Sequence, residues 1–523
     1  MSDVDAQGRS VDLTATSLLQ KSNTPLPKLS VLFESDPDRV TRDIIGDESL
    51  LVDLSRLHLD RQGWSTLLQL ADVKNVLAAA KAMFHGAPVN VSEQRPALHT
   101  ALRGPHAGVD LDSAIEQTVQ SDLARMLQFA EALREGRHLG TTGKRITDLV
   151  SIGIGGSHLG PAMLCQALPA RGPVRVHFMA NIDAHQSEKL LASLLPEQTM
   201  FCVTSKSFGT QETLANARRA RQWLQQQLGH SIDLAKHMIA ISSNADRVAQ
   251  FGLDSAAMLP MHDWVGGRYS VWSAVGLPVA AVAGSEQFKA LLTGARSMDE
   301  HFLNADPWQN IPLRMALASH WYRRVVGAHS WGVVPYDDRL SLLPQYLQQL
   351  IMESNGKRVT VDGEQVSHSA PVIWGGTGTN AQHAFFQCLH QGTDTVPIEL
   401  IGVAQADHEH DGHHQLLLSN LLGQAAALMQ GRDGDADRHI PGNRPAITLL
   451  LRKLDAHGLG QLLALYEHRT FVEGVLLGIN SFDQFGVELG KQLADRILPA
   501  LQGEAAPLGP ATQRLVDWLR STS

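Results

Sequence analysis

Cysteine is scarce in this sequence of 523 residues: there are three, Cys165, Cys202 and Cys388, and no two of them lie close together. This spacing argues against a disulfide framework and against a zinc ribbon, and it favours a reducing compartment. The sequence also has no run of lysine and arginine, and its net charge is −9. We therefore expect neither a nucleic-acid partner nor binding to an anionic membrane.

Long hydrophobic runs are missing as well. The most apolar stretch, Val271–Gly284, contains Pro278 and two glycines, and it is shorter than the roughly 20 residues that cross a bilayer as a helix. The first residues, MSDVDAQGRS, have no apolar run of the kind found in a secretory signal. What remains is an ordinary globular composition, with 43% hydrophobic and 19% charged residues, which excludes collagen-like and largely disordered chains. We expect a cytoplasmic protein.

From about residue 146 onward, short runs of β-branched residues alternate with amphipathic segments, a pattern typical of parallel βαβ units. The predicted strands form two series, Ile146–Ile154, Val174–Met179, Met200–Thr204 and His237–Ser242, then Trp331–Pro335, Pro371–Trp374, Val396–Val403 and Ala446–Leu451. The first hundred or so residues have the helical period, for example in Ser65–Met83. The sequence therefore predicts an α/β protein with two doubly wound parallel-sheet units and a helical N-terminal region.

A glycine-rich turn, Gly153–Ser157, follows the first predicted strand. Such a turn brings backbone N–H groups close to an anion at a helix N-terminus. His158 stands where the dinucleotide fingerprint needs glycine, and the lysine of a Walker A loop is absent. Two interpretations stay open for this turn: contact with a phosphate or sugar, and a tight turn that needs glycine for steric reasons alone.

The loop after the third predicted strand, Ser205–Thr210, carries three hydroxyl groups and one lysine in front of a helical segment. A phosphate monoester needs many hydrogen-bond donors near positive charge, and this loop supplies them without a metal. The alternative is a polar helix cap with Thr210 as the capping residue. Both can hold together, and the density of hydroxyl groups favours a phosphate site.

Two further residues suit proton-transfer chemistry. Arg268 follows two glycines inside an apolar stretch, so we expect its guanidinium to be held in a site where it stabilises an oxyanion. Glu353 falls in the last turn of a predicted helix that ends near Gly356. The negative end of the helix dipole disfavours a carboxylate there, which suits a general base.

Three other patterns decide little by themselves. His383 lies in the first turn of a predicted helix, a position more typical of surface or capping residues. The stretch Phe482–Lys491 is, taken alone, an ordinary amphipathic helix. The four histidines of His408–His414 have neither neighbouring cysteines nor an HExxH helix, so we expect loop and helix-start histidines rather than a metal site.

Together, these segments resemble the glucose-6-phosphate isomerase family. Residues 263–276 (DWVGGRYSVWSAVG) are similar to the family's first signature, and residues 474–491 (GVLLGINSFDQFGVELGK) are similar to its second. The blocks SIGIGGSHLGP, SKSFGTQETLANA, MESNGK and GGTGTNAQHAFFQCLHQGT follow the family's order, and NVSEQRPALHTALR near the N-terminus is also similar. The resemblance extends from about Leu50 to about Leu493.

The resemblance implies a fold of two sugar-isomerase-type (SIS) α/β/α domains. We accordingly expect a helical N-terminal region in residues 1–115 that packs on the large domain. The first SIS domain is expected in residues 116–290, the second in residues 310–505, and a C-terminal tail or helix in residues 506–523.

The resemblance also implies an enzyme, an aldose–ketose isomerase that needs neither metal nor cofactor and interconverts glucose 6-phosphate and fructose 6-phosphate in glycolysis and gluconeogenesis. In this reading Glu353 moves a proton between C2 and C1, Arg268 stabilises the cis-enediol(ate), and His383 opens the sugar ring together with Lys491. The binding residues implied are Ser205, Lys206, Ser207 and Thr210 for the phosphate, and Gly156, Ser157, Gln349 and Gln484 for the sugar. The resemblance further implies a homodimer, in which His383 reaches the active site of the partner subunit.

Two alternatives stay open: an isomerase that also accepts mannose 6-phosphate, and a sugar-phosphate sensor that has lost the chemistry. A sensor is expected to lack one or more of the four residues named for catalysis, and all four are present. The sequence departs from the family's usual pattern at His158, where many members have aspartate, at Ser207, which replaces a threonine but keeps the hydroxyl, and at Gly209, which replaces another hydroxyl residue of some members. It also departs before the paired histidines that follow His408.

Overall fold

The computed structural model describes residues 26–522, and in that part of the chain the strands form one sheet of five and one of six. The strands are β1 (Ile44–Gly46), β2 (Leu50–Asp53), β3 (Asp148–Ile152), β4 (Arg175–Met179), β5 (Thr199–Thr204), β6 (Met238–Ser242), β7 (Leu259–Pro260), β8 (Ser330–Pro335), β9 (Val372–Gly375), β10 (Ile398–Val403) and β11 (Ala446–Leu451).

Helices connect and cover these strands. The α-helices are Leu29–Ser35, Arg39–Asp43, Arg61–Val73, Val76–Phe84, Ser113–Arg134, Leu159–Ala167, Ala184–Ala192, Gln211–Leu228, Ala245–Phe251, Leu277–Ala283, Ser285–Asn304, Ile311–Trp321, Leu343–Leu347, Phe386–Gln391, Asp411–Gln430, Ala456–Leu477, Glu488–Leu501 and Pro510–Ser521. The short 3₁₀ helices are Ala101–Arg103, Gly155–Ser157, Pro196–Gln198, Leu234–Lys236, Gly267–Trp272, Ala274–Gly276, Asp338–Leu340, Ala381–His383 and Phe485–Val487, and the π-helical segments are Tyr322–Val326 and Gln348–Glu353.

The five-stranded sheet has the order β4-β3-β5-β6-β7, and every neighbouring pair is parallel. Helix Gln211–Leu228 covers it through Ala217 and Leu224, which pack with Phe201 of β5 and Val150 of β3 in one buried cluster. Because parallel strands need long crossovers, helices cover such sheets and their strands are almost entirely apolar. This part of the fold confirms the first predicted βαβ series.

The six-stranded sheet has the order β1-β2-β11-β10-β8-β9. The strands from β8 to β11 pair in parallel, whereas β2 pairs antiparallel with both β1 and β11. The expectation that the first hundred residues are mostly helical therefore missed an N-terminal hairpin. Its two short strands, Ile44–Gly46 and Leu50–Asp53, give too few residues for a clear period of two.

The predicted strands agree with the observed ones to within a few residues, and strand Ala446–Leu451 coincides with its prediction. The helical segment expected after Thr210 is helix Gln211–Leu228. The predicted helix Ser65–Met83 is instead divided at Asn75, whose backbone is left-handed with φ 53°. The predicted helix that ends near Gly356 is also divided, into the 3₁₀ turn Asp338–Leu340, the α-helix Leu343–Leu347 and the π-helical segment Gln348–Glu353.

The chain divides into two compact units, one ending at Ser481 and the other comprising Phe482–Ser523. The second unit consists of the 3₁₀ turn and the last two α-helices given above. Several large apolar side chains in this unit are exposed: Phe485, Val487, Leu489, Leu493, Leu498, Leu501, Leu515, Trp518 and Leu519. Among residues 26–522, no helix combines the length and the apolar character needed to span a bilayer.

Candidate functional site

Two of the loops singled out in the sequence leave the same edge of the five-stranded sheet. Strands β3 and β5 are parallel neighbours with Ile152 opposite Val203. The glycine-rich turn follows β3 and the hydroxyl-rich loop follows β5. In open parallel sheets, ligands bind at this carboxyl edge, where the loops gather. The fold therefore brings the two loops together.

Two of the three hydroxyl groups of the loop Ser205–Thr210 face each other. The Oγ atom of Ser205 lies 3.2 Å from Oγ1 of Thr210. Thr210 takes the N-cap position of helix Gln211–Leu228, but its side chain makes no capping hydrogen bond. The capping interpretation of Thr210 is thus right about its position and wrong about its hydroxyl, which faces Ser205 instead.

Lys206 connects this loop to the segment before Arg268. Its Nζ atom donates to the carbonyl oxygens of Asp263 and Val265, at 2.9 and 3.2 Å, and lies 3.6 Å from the Asp263 carboxylate. Burial lowers the pKa of Lys206, and the Asp263 carboxylate opposes this effect. The lysine thus holds two loops together and brings a partly buried positive charge to them.

The glycine-rich turn and the Arg268 segment touch backbone to backbone. A Cβ atom on Gly156 would lie 2.0 Å from the carbonyl oxygen of Gly267 and 2.6 Å from the backbone nitrogen of Arg268. Gly155 has a left-handed backbone with φ 58°, and a Cβ there would lie 2.9 Å from Nε2 of Gln349. The steric interpretation of this turn is therefore correct, because only glycine permits both approaches.

Arg268 and Glu353 meet beside these glycines. Arg268 is 3% exposed, and its Nη1 lies 3.5 Å from Oε2 of Glu353. The Glu353 side chain keeps 21% of its surface exposed. The carboxylate can therefore reach a bound molecule, while the guanidinium is fixed beneath it as a localised positive charge.

Glu353 and Gln349 lie on the π-helical segment Gln348–Glu353. The amide Nε2 of Gln349 donates to Oε2 of Glu353 at 2.9 Å. Single π turns inside α-helices recur at functional sites. Immediately afterwards the helix ends at Gly356, where a Cβ would lie 2.3 Å from the carbonyl oxygen of Met352. The predicted position of Glu353 near a helix end next to Gly356 is confirmed.

The other sequence-derived residues lie on different elements of the structure. His383 closes the 3₁₀ turn Ala381–His383, before the α-helix begins, and its side chain is exposed. In the part of the chain that is described, the Glu353 carboxylate contacts Gln349 and Arg268, and not His383. Gln484 and Lys491 belong to the second compact unit, where Nζ of Lys491 lies 3.6 Å from Oε1 of Glu488.

The remaining predicted residues lie in the turn and the loop themselves. Ser157 is partly buried in the 3₁₀ turn, and a Cβ on Gly153 would lie 2.8 Å from the Ser157 Cβ. Ser207 is exposed, and its carbonyl oxygen accepts a hydrogen bond from Arg247. Next to the turn, His158 packs its ring edge-on against Phe178, and burial lowers the pKa of its imidazole.

The histidine cluster His408–His414 lies at the start of helix Asp411–Gln430. The ring centroid of His408 lies 5.8 Å from that of His410 and 5.9 Å from that of His414. Over residues 26–522, no group of three or more histidine, cysteine, aspartate or glutamate side chains has an arrangement that could hold a metal ion.

Sequence reasoning missed the residues that hold Arg268. Its Nε donates to Oγ of Ser354 at 2.6 Å, and its Nη2 donates to the carbonyl oxygen of Ser481 at 2.6 Å. The Tyr269 hydroxyl lies 3.0 Å from the same Ser354 Oγ. Ser354 stands in the MESNGK block, so the block itself was the available signal, but its residue type resembles that of any helix-end serine.

Comparisons with known proteins find a matching family model and similar sequences. A family model described as phosphoglucose isomerase matches residues 53–516. The chain is 46% identical over 513 residues to the glucose-6-phosphate isomerase of Mesorhizobium japonicum, with 93% of each chain covered. It is 43% identical over 519 residues to glucose-6-phosphate isomerase 1 of Neisseria meningitidis, with 94% of this chain and 95% of the relative covered.

A solved structure shares the architecture. The crystal structure of a glucose-6-phosphate isomerase from Chlamydia trachomatis superposes with a TM-score of 0.87 at 32% sequence identity, covering 98% of this chain and 99% of that one. This likeness confirms the predicted fold class, and the relatives confirm the resemblance found in the sequence motifs.

Proposed function

The chain belongs to the phosphoglucose isomerase family, and from this premise we propose that it interconverts glucose 6-phosphate and fructose 6-phosphate. The observation that carries the proposal is the pair formed by Glu353 and the buried Arg268, with 3.5 Å between Oε2 and Nη1. A base and a fixed cation side by side are what proton abstraction next to a carbonyl requires.

The chemistry is an intramolecular oxidation and reduction. In the open-chain aldose, the Glu353 carboxylate takes the proton from C2, and the electron pair of that C–H bond forms the C1–C2 double bond of a cis-enediolate. Arg268 stabilises the negative charge that develops on O1. Glu353 then returns the proton to C1. O2 loses its hydroxyl proton as C2 becomes a carbonyl, and O1 gains a proton and becomes a hydroxyl. C2 is oxidised and C1 is reduced, so the reaction consumes no external oxidant.

The phosphate end of the substrate is assigned to Ser205, Lys206, Ser207 and Thr210. This assignment is supported by the facing hydroxyl groups of Ser205 and Thr210 and by the partly buried charge of Lys206. A phosphate remote from the reacting carbons provides binding energy that holds C1 and C2 against the base. For the sugar, the proposed contacts are Gly156, Ser157, Gln349 and Gln484, of which Gln349 already donates to Glu353.

Ring opening is assigned to His383 and Lys491 by family resemblance. The His383 side chain is exposed, which supports the further proposal that it serves the active site of a partner subunit in a homodimer. The exposed apolar side chains of Phe482–Ser523 also support association, because an apolar surface of this kind in a monomer would stay in water.

We further propose a domain division, a cytoplasmic location and a small-molecule partner for this chain. The division into SIS domains at 116–290 and 310–505 is supported by the five-stranded sheet, which falls within the first range, and by strands β8 to β11, which fall within the second. A cytoplasmic location is supported by the low cysteine content. The sugar phosphate is the proposed small-molecule partner.

The reaction is tested with a coupled assay in which NADP-dependent glucose-6-phosphate dehydrogenase reports glucose 6-phosphate formed from fructose 6-phosphate. In D₂O, the recovered glucose 6-phosphate should carry deuterium at C2, because the transferred proton visits a carboxylate that exchanges with solvent. No turnover at saturating fructose 6-phosphate would reject the proposal. Running mannose 6-phosphate in parallel distinguishes a dual isomerase from a specific one.

The shared active site is tested by mixing two inactive variants, Glu353→Gln and His383→Ala. If the histidine comes from the partner, a mixed dimer has one complete site, and random exchange of subunits restores up to about a quarter of wild-type activity. If glutamate and histidine of one site belong to one chain, the mixture stays inactive. Analytical ultracentrifugation of the wild-type protein gives the oligomeric state independently.

A further inference from the structure

Each of the three nitrogens of the Arg268 guanidinium meets a different group. Nη1 lies 3.5 Å from the Glu353 carboxylate, Nε donates to Ser354 Oγ at 2.6 Å, and Nη2 donates to the carbonyl oxygen of Ser481 at 2.6 Å. Two of these three partners are neutral. Hydrogen bonds to these two neutral oxygens therefore help to hold the guanidinium beside the Glu353 carboxylate.

Ser481 is itself held by the residue that follows Ser354. Its hydroxyl donates to Oδ1 of Asn355 at 2.7 Å, and Nδ2 of Asn355 donates to the carbonyl oxygen of Thr470 at 2.8 Å. Ser354 and Asn355 are both fully buried. A Cβ on Gly474 would lie 1.9 Å from Ser481 Oγ, so this connection exists only because position 474 is glycine.

Three consecutive residues thus act on one guanidinium. Side chains at successive helix positions do not face each other, but they can still contact the same third residue. Glu353 and Ser354 reach Arg268 themselves, whereas Asn355 reaches it through the Ser481 main chain. The segment that supplies the proposed base therefore also fixes the cation beside it.

We propose that Ser354 and Asn355 are positioning residues that hold Arg268 where the enediolate oxygen forms. This inference rests on the proposed function of Arg268. A cation stabilises a developing negative charge well only if it is already oriented before the charge appears. Neutral oxygens suit this task because a carboxylate in their place would offset the charge that the reaction uses.

The test compares Ser354→Ala with Tyr346→Phe. Tyr346 is a buried residue of the neighbouring helix Leu343–Leu347, and its hydroxyl has no hydrogen-bond partner among the described residues. It is therefore a matched control for losing one buried hydroxyl group. We expect Ser354→Ala to lower kcat about 10- to 100-fold with KM changed less than about twofold, and Tyr346→Phe to leave both constants as in wild type.

A double-mutant cycle separates positioning from a general structural effect. In an Arg268→Ala background, Ser354→Ala should cause no further loss of kcat, because the serine then has nothing to orient. An equal loss of kcat with and without Arg268, or a kcat for Ser354→Ala within about twofold of wild type, would overturn the proposal.

A second variant keeps the inference testable if Ser354→Ala does not fold, as judged by circular dichroism. Ser481→Ala removes the Asn355 hydrogen bond but keeps the carbonyl oxygen that accepts from Arg268, so we expect a smaller fall in kcat at constant KM. An unchanged kcat in Ser481→Ala would remove Asn355 from the proposal. If the wild-type chain is inactive, the proposed function fails instead, so the two failures are distinguishable.

Discussion

Gly156 and Gly267 approach so closely that a Cβ on Gly156 would lie 2.0 Å from the Gly267 carbonyl oxygen. The same Cβ would lie 2.6 Å from the backbone nitrogen of Arg268. The glycine-rich turn therefore determines where the Arg268 segment can lie, and through it the distance between the guanidinium and Glu353. A single methyl group at position 156 would force the two segments apart.

We expect Gly156→Ala to lower kcat/KM by about 100-fold, since displacement of catalytic groups by about 1 Å has effects of this size. Gly267→Ala is the matched control, because a Cβ at Gly267 would meet no atom within 4 Å. Steady-state kinetics of both variants in the coupled assay decide the point. Equal activities would mean that the turn yields without moving Arg268.

Glu353→Gln should abolish isomerisation, because the amide cannot accept the C2 proton. The substitution preserves size and should keep sugar-phosphate affinity within a few-fold of wild type. Turnover and deuterium incorporation at C2 measure the chemistry, and isothermal titration with fructose 6-phosphate measures binding. Substantial residual exchange at C2 would remove Glu353 from the role of base.

Arg268→Ala should lower kcat by about 10²–10³ with a smaller effect on KM, because its proposed contribution is confined to the developing charge. Circular dichroism should accompany the kinetics, since Arg268 is buried. A rise in KM with unchanged kcat would instead assign Arg268 to ground-state binding.

Lys206→Ala should raise KM for the sugar phosphate by about 10- to 100-fold, the range expected for losing hydrogen bonds to a charged group. Competitive inhibition by inorganic phosphate should weaken in parallel, which shows that the phosphate end is affected. Lys189→Ala, at an exposed lysine of helix Ala184–Ala192, provides the control. Unaltered phosphate inhibition in Lys206→Ala would restrict the lysine to joining the two loops.

Acid should destabilise the folded chain between about pH 6.5 and pH 3, because two buried histidines resist protonation. Burial lowers the pKa of His58 to about 4 and that of His320 to about 3. In this window the unfolded chain binds more protons, so stability is fully present above pH 6.5 and is lost as the pH falls.

Urea midpoints measured at pH 7.5 and pH 5 test this dependence. His320→Leu should reduce the difference between the two midpoints, because one of the buried imidazoles is removed. His230→Leu, at an exposed position, is the control for losing a histidine. If His320→Leu has the same pH dependence as wild type, His320 does not contribute to the acid sensitivity.

Much of the fold could be predicted because the information is local. The runs of β-branched residues predicted β3, β5, β8 and β10, and the helical segment expected after Thr210 is helix Gln211–Leu228. The N-terminal hairpin and the two-residue strand β7 were missed since strands this short show no period. The break at Asn75 was missed because a left-handed asparagine inside an apolar helical pattern has no reliable local signal.

Part of the candidate site could likewise be predicted from local sequence, and part could not. The motifs identified Glu353, Arg268 and the Ser205–Thr210 loop as candidates, and the structure brings the first two to 3.5 Å. Ser354 and Ser481 were not identified as partners of Arg268 because both contacts join positions far apart in the sequence, 86 and 213 residues from Arg268. No local pattern records a contact of that kind.

By itself, the sequence determined the class of the fold, the order of the glycine-rich and hydroxyl-rich loops, and membership in a family of isomerases. It could do so because strand and helix periods and loop motifs depend on neighbouring residues. Only the tertiary structure decided which groups hold the Arg268 guanidinium and which glycines are required by a close approach. It also showed that the Thr210 hydroxyl makes no capping hydrogen bond. Those features depend on distances between segments, and distances exist only once the chain has packed.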